Sequence, residues 1–342
     1  MQRAIVVIAI AASVATAASA APPAAVPGWK YHGFTSFPAA YFGANMTGPP
    51  NATELAFVAR HQLAGFGWQA SMTTRWPGAA PWEPPAQGGS LPRNYSFSEE
   101  AVLAADAARL SRYARAHAPT AAVDAAFVYR QASVANWWFA DDRAMYGGHA
   151  EFFLRDAAGR LCWRDGPFYD WTAPGATEYY LGHHVQTLCD EASRGGGGGN
   201  GGGLPRAVFF DGVDTTARAS GQIVYPHHTN CTLNLTKAKS RALYAGAIDW
   251  SVRVGKALND CGVLPIYSLG GAMDPAIAAD RGYIASEQGL VRSLAAAGVS
   301  WARYYEFWSW WRAGYGIANA LNETAQGVPS VPVKILPMAF LD

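Results

Sequence analysis

Four apolar runs in this sequence stop at or beside a carboxylate. Ala207-Val208-Phe209-Phe210 ends in Asp211, and Tyr283-Ile284-Ala285-Ser286 ends in Glu287. The run from Trp301 carries Glu306 near its end, and the weaker Phe168-Tyr169 ends in Asp170. A carboxylate buried beside such a run costs several kcal/mol unless something pairs with it. A fold therefore keeps one there as a helix cap, in a salt bridge, or for chemistry. Asp211 leads, because Gly212 beside it makes a sharp turn at a strand end. Glu287 is the preferred partner and Glu306 the reserve. Asp214 either caps the following loop or reaches a substrate.

Two carboxylates across an aromatic cleft are what cleavage of a glycosidic bond needs. One protonates the leaving oxygen, so apolar surroundings must raise its pKa. The other stays ionised, as nucleophile or as base for water. Aromatic faces hold the apolar faces of sugar rings and exclude water from the acid. Glu306 is flanked by Tyr304, Tyr305, Trp308, Trp310 and Trp311, and Trp137-Trp138 form a second aromatic pair. Core packing is the competing reading for aromatics, and it accounts for Phe127, Phe209 and Phe210. The candidate substrate contacts are Asp170, Trp171, Asp214, Trp68, Trp137, Trp138, Tyr305, Trp308 and Trp310.

Other chemistries have less behind them. His183-His184 and His227-His228 are adjacent pairs, and neighbours in a helix or loop point apart, so no metal site is expected. No Gly-x-Ser-x-Gly elbow is present. The glycine run at 195–203 lacks the Gly-Lys-Ser/Thr of a phosphate loop, and no Gly-x-Gly-x-x-Gly follows an early strand. No cofactor is expected.

The elements that must position these residues alternate. Strand-like runs occur at Ala40–Ala44, Leu63–Trp68, Val123–Tyr129, Ala207–Phe210, Leu264–Leu269, Tyr283–Glu287, Trp301–Phe307 and Val331–Leu336. Helical stretches fall between most of them: from Asn51 through Gln62, after a Ser96–Glu99 capping box, from near Pro174 to Ser193, from Leu235 to Asn259, a short one opening at Asp274-Pro275, and from Leu290 to Ala297. On the second helix Leu103, Asp106, Leu110, Tyr113 and His117 mark one face. Phe152–Trp163 reads as a hairpin turning at Asp156-Ala157-Ala158-Gly159, and 195–203 as a flexible loop insertion. About eight strands with helices between them predict an α/β fold, a single-domain (β/α)8 TIM barrel over residues 21–342. A doubly wound sheet is the alternative. Pro332 and Pro337 fit poorly in a central closing strand.

Of the 342 residues, 26 are Lys or Arg and 25 Asp or Glu, a net charge of +1 that gives no electrostatic reason to bind nucleic acid. Apolar residues make up 50%, enough for a real core and too many for a disordered chain. The basic start Met1-Gln2-Arg3, the apolar run Ala4–Ala12 and Ala18-Ser19-Ala20 read as a secretory signal peptide over residues 1–20, with no stable membrane insertion. Sequons at Asn45, Asn51, Asn94, Asn230, Asn234 and Asn322 support export and N-glycosylation. Cys162, Cys189, Cys231 and Cys261 then form two disulfides; three pairings exist, and sequence order favours Cys162–Cys189 with Cys231–Cys261. A secreted monomer is expected.

The stretch Tyr41-Phe42-Gly43-Ala44-Asn45-Met46-Thr47-Gly48, followed by a helix and Gly65-Phe66-Gly67-Trp68-Gln69, resembles the opening of secreted eukaryotic proteins catalogued as hypothetical glycosyl hydrolases. So do the aromatic stretch after Phe127-Val128-Tyr129, Phe168-Tyr169-Asp170-Trp171-Thr172-Ala173-Pro174 before a helix, and Phe209-Phe210-Asp211-Gly212-Val213. Residues 170–211 are also similar to the more distant polygalactosaminidase-like barrels. The resemblance spans most of residues 30–310. It implies a TIM-barrel glycosidase in which Asp211, at strand four, matches the catalytic carboxylate. The chain departs at Gly65–Gln69, where relatives often carry Glu-Lys-Trp-Gln. The competing expectations are a carbohydrate-binding barrel without catalysis and a structural cell-surface glycoprotein with no deep cleft.

Overall fold

Continuous apolar runs build the centre of the molecule. The structure is a computed structural model and describes residues 39–43, 49–59, 63–66, 99–117, 125–136, 139–162, 166–194, 207–213, 237–268, 281–304 and 333–337. Seven strands run parallel and pair in chain order: β1 (Ala39–Gly43), β2 (Leu63–Phe66), β3 (Ala125–Gln131), β4 (Ala207–Asp211), β5 (Leu264–Ser268), β6 (Ala302–Tyr304) and β7 (Val333–Pro337). β7 also pairs with β1, Ala39 with Leu336 and Ala40 with Pro337, so the sheet closes on itself. Pro337 is tolerated because it is the last residue of its strand, where a missing N–H interrupts little.

The connecting helices are α1 (Ala52–Val58), α2 (Glu99–Ala116), α3 (Ala140–Gly148), α4, α5 (Lys237–Asp260) and α6 (Arg281–Ala296). α4 has three consecutive parts, Ala176–Tyr180, a π-helical turn Leu181–Val185, and Gln186–Arg194. α1 starts where Asn51 Oδ1 accepts the amides of Thr53 and Glu54 at 2.9 and 3.0 Å, while Glu54 accepts the Asn51 amide at 2.8 Å. Of the hairpin expected over Phe152–Trp163, the turn and the Arg155–Leu161 antiparallel bridge are present, Phe152 ends a 3-10 turn and Trp163 lies outside the described residues. Asp156 Oδ1 accepts the amides of Ala158 and Arg160, both at 2.9 Å, and Gly159 closes the turn at φ 77°.

The strands alternate between two apolar environments. On the inner face of the ring Phe209 lies 5.8 Å from Tyr129 and 6.1 Å from Phe127. On the helix side Phe210 meets Trp250 of α5 at 5.4 Å and Tyr267 of β5 at 5.6 Å. Trp250, Val254 and Leu258 recur every four residues along α5, and all three are fully buried.

Two expectations are corrected. Tyr283–Glu287 is not a strand but the first half of α6, so the ring has seven strands among the described residues rather than eight. A five-residue apolar run is ambiguous by itself; here Leu290, Val291 and Leu294, all buried, continue the element with helical spacing. The disulfide joins Cys189 of α4 to Cys261 just after α5, not to Cys162. Sequence order misled because α4 and α5 flank β4 and meet in space across 72 residues of chain. Cys162 is itself disulfide-bonded. The expected leader (residues 1–20), the glycine run 195–203, the short helix at Asp274-Pro275, and the sequons at Asn45, Asn94, Asn230, Asn234 and Asn322 lie outside the described residues. No helix among the described residues is long and apolar enough to cross a membrane.

Candidate functional site

Asp211 ends β4 on the inner face, at the carboxyl end of the parallel sheet, half-buried. Gly212 follows at φ 67°, a left-handed turn that suits glycine and lets the chain leave the strand abruptly. The register sets Gln131 of β3 opposite Asp211 and Tyr129 opposite Phe209. Tyr129 and Gln131 therefore share the face of Asp211. The Tyr129 hydroxyl donates to Asp211 Oδ2 at 3.1 Å, and Gln131 Nε2 approaches the same oxygen at 3.4 Å. Donors on a carboxylate oxygen favour its ionised form. The Ala132 amide also holds the Asp211 carbonyl, at 2.8 Å. Composition and motif gave no sign of Tyr129 or Gln131; only strand pairing reveals them.

Asp170 is built differently. Its Oδ1 accepts the Thr172 amide at 3.0 Å and the Thr172 hydroxyl, and its Oδ2 accepts Lys239 Nζ of α5 at 2.8 Å. Lys239 also donates to Thr172 Oγ1 at 2.7 Å. α5 comes this close because of Gly246: a Cβ there would sit 2.8 Å from the Trp171 carbonyl. Asp170 is thus a brace between a turn and a helix. Trp171, a candidate sugar platform, stacks instead on Tyr169 at 4.5 Å and on Trp250 at 4.9 Å, and its Nε1 donates to the Ala132 carbonyl at 3.2 Å. That indole packs mainly into the core, because the turn it follows is drawn down against α5. The bond to Ala132 places the Asp170–Trp171 segment at the same end of the sheet as Asp211.

Behind this segment lies a polar cluster that sequence reading missed. Asp142 of α3, buried, accepts the Tyr169 hydroxyl at 2.6 Å and His184 Nε2 at 2.8 Å on Oδ1, and the Asn136 amide at 2.7 Å on Oδ2. Burial, and then the Asp142 charge, push the Tyr169 phenol well above its ordinary pKa, so it remains a donor. His184 sits in the π turn of α4 and stacks on Tyr180 at 4.1 Å, whereas His183 beside it is exposed. The adjacent histidines point apart, in line with the geometry expected of helix neighbours. On the outer face of β3, buried Arg130 lies 4.6 Å over the Phe139 ring. Among the described residues no group of three His, Cys, Asp or Glu is placed to hold a metal ion.

Glu287 falls inside α6, so the strand-end argument that singled it out does not apply. Glu306, Asp214, Trp68, Trp137, Trp138, Tyr305, Trp308 and Trp310 lie outside the described residues. β6 ends at Tyr304, two residues before Glu306.

No family model matches the chain, and a search of curated proteins finds no match, so the family resemblance rests on its motifs. Among solved structures, the chain is similar to the catalytic domain of a beta-amylase from Paenibacillus polymyxa, with 9% identity over 85% of this chain and 84% of that one, at a TM-score of 0.45. A beta-mannanase from the blue mussel Mytilus edulis gives 10% identity over 79% and 70%, at 0.35. An alpha-N-acetylgalactosaminidase from Bifidobacterium bifidum gives 10% over 67% of this chain and 35% of that one, at 0.33. At TM-scores this low these likenesses decide nothing about the site.

Proposed function

We propose that the chain is a TIM-type barrel glycoside hydrolase of the secretory pathway, acting on a poly- or oligosaccharide with Asp211 as its ionised catalytic carboxylate. The observation that carries this reading is the setting of Asp211: half-buried at the carboxyl end of a parallel strand, with a phenol and an amide donating to one oxygen. Chemistry in closed parallel sheets sits at that end. A carboxylate so held suits attack on an anomeric carbon, or removal of a proton from the attacking water. In either case water is consumed, the bond from the anomeric carbon to the leaving oxygen breaks, and the leaving oxygen takes a proton from an acid.

Asp170 is a poor choice for that acid, because Thr172 and Lys239 already occupy both of its oxygens. Glu306 is the better one. It follows β6, which runs parallel to β4, and its aromatic neighbours Tyr305, Trp308 and Trp310 would keep an acid protonated. The Cys189–Cys261 disulfide supports an oxidising compartment and hence export with N-glycosylation.

The test is hydrolysis of a polysaccharide panel by the wild type, Asp211→Asn, Glu306→Gln and Glu287→Gln. Asp211→Asn should fold and lose turnover on every substrate, since an amide neither attacks nor accepts the proton. Glu306→Gln should lose about 10²–10⁴-fold on substrates with poor leaving groups and much less where the leaving group needs no proton. Glu287→Gln should stay active. A folded Asp211→Asn protein with full turnover refutes the mechanism. The bracing of Asp170 favours one second reading, a barrel that binds glycans without cleaving them; glycan binding with no hydrolysis by the wild type would select it.

A further inference from the structure

The groups around Asp211 form a directed chain. Tyr129 and Gln131 stand two residues apart on β3 and so share its inner face. Both are buried, 3% and 6% exposed, a hydroxyl and an amide beside the apolar Phe127 and Phe209 of the same face. The Ala132 amide, bonded mainly to the Asp211 carbonyl at 2.8 Å, also reaches Gln131 Oε1 at 3.2 Å, in keeping with Nε2 facing inward. Gln131 Nε2 then donates to the Tyr129 hydroxyl oxygen at 3.1 Å. A phenol has one proton to give. With its oxygen receiving from Gln131, that proton goes to Asp211 Oδ2, 3.1 Å away.

Resting on the reading of Asp211 given above, we propose that Tyr129, oriented by Gln131, is a positioning residue that holds Asp211 ionised through its bond to Oδ2. A carboxylate drawn half out of water drifts toward its neutral form unless donors oppose the drift. Core packing alone would be satisfied by phenylalanine at 129, since the ring already rests on Phe209 at 5.8 Å. The hydroxyl is what packing does not require. Two of the groups set against Asp211 come from β3. Arg130, between them in sequence, projects from the opposite face toward Phe139, and β5 presents Ile266 beside Phe209.

The test needs no substrate. Protein labelled with ¹³C at the aspartate carboxyls is titrated by NMR, and the Asp211 resonance is assigned by its loss in Asp211→Asn. Tyr129→Phe should raise the Asp211 midpoint by about one pH unit, a tenfold change in its protonation equilibrium, as expected for losing one charge-assisted hydrogen bond. Gln131→Leu should shift it in the same direction by less. On any substrate the wild type cleaves, the acid limb of kcat/KM should move up with the midpoint while KM changes little. Midpoints unchanged in both variants overturn the proposal. Should Tyr129→Phe fail to fold, the Gln131→Leu midpoint alone decides. A shifted midpoint in a protein that hydrolyses nothing leaves the role of Tyr129 standing and removes the glycosidase reading instead.

Discussion

Removing the Asp142 carboxylate should be among the most damaging single changes outside the barrel lining. Its two oxygens accept from Tyr169, His184 and the Asn136 amide at 2.6 to 2.8 Å, where water does not reach. Asp142→Ala leaves three buried polar groups without that partner, each worth about 1–3 kcal/mol when unsatisfied. These losses overlap, so the total falls short of their sum, at about 3–5 kcal/mol. That is a large share of a stability of about 5–15 kcal/mol. Urea unfolding at neutral pH reads it as a midpoint about 1–2 M lower at an unchanged slope. Asp142→Asn keeps the shape, still accepts the Asn136 amide, and turns an NH2 toward Tyr169 and His184, so it should cost clearly less. Tyr169→Phe removes one donor and should cost about 1–2 kcal/mol. A loss below about 1 kcal/mol for Asp142→Ala would refute the reasoning. So would an asparagine variant no better than alanine, because the geometry and not the volume is held responsible.

Asp141, next door, should behave in the opposite sense. Burial first, then the nearby Glu100 and Asp142 charges, raise its pKa against the lowering pull of His184 and Arg130. A raised carboxyl binds its proton more tightly when folded, so stability falls as pH rises from about 4 through the folded pKa, and above it the full penalty remains. Asp141→Asn should therefore be more stable than wild type at pH 7, and the gap should shrink toward pH 4; thermal melts across that range check both. Opening the Cys189–Cys261 bridge with serines releases a loop spanning 72 residues of sequence, for which chain entropy gives about 4 kcal/mol; a urea series on the double variant measures it. With Cys189 and Cys261 joined and Cys162 also bonded, non-reducing peptide mapping should find Cys162 linked to Cys231; a Cys162–Cys189 peptide would contradict the fold.

The fold was legible where one physical cause dominates. Ala207–Phe210 could hardly be anything but a doubly buried strand, and it is β4, one side packed in the ring and the other on Trp250. Asp156 and Gly159 announced their hairpin because one accepts the turn amides and the other takes the left-handed corner. Tyr283–Glu287 was not legible, because five residues fit either periodicity and the deciding apolar positions, Leu290 and Leu294, lie further along. The disulfide was not legible either: which helices touch is a property of the ring and not of the spacing between cysteines.

For the site, the chain announces its carboxylates but not their company. Asp211, Glu287 and Asp170 look alike in sequence, each closing an apolar run. Their differences come from the residues that strand pairing and helix packing bring beside them. Asp211 meets Tyr129 and Gln131, which end β3 polar on the same inner face. Asp170 meets Lys239, from the first turns of a helix 69 residues away in sequence. Glu287 loses its strand altogether. The aromatics divide in the same way. Trp171 looks as good a sugar platform as any tryptophan here until Tyr169 and Trp250 are found stacked on it. A carboxylate at the end of an apolar run is thus a candidate, and a polar residue of matching parity on the neighbouring strand turns it into a site. In β3 that parity could be read directly, since Phe127, Tyr129 and Gln131 alternate with Val128 and Arg130. What the sequence lacked was the one-residue register that sets Gln131 against Asp211, and only the closed sheet supplies it.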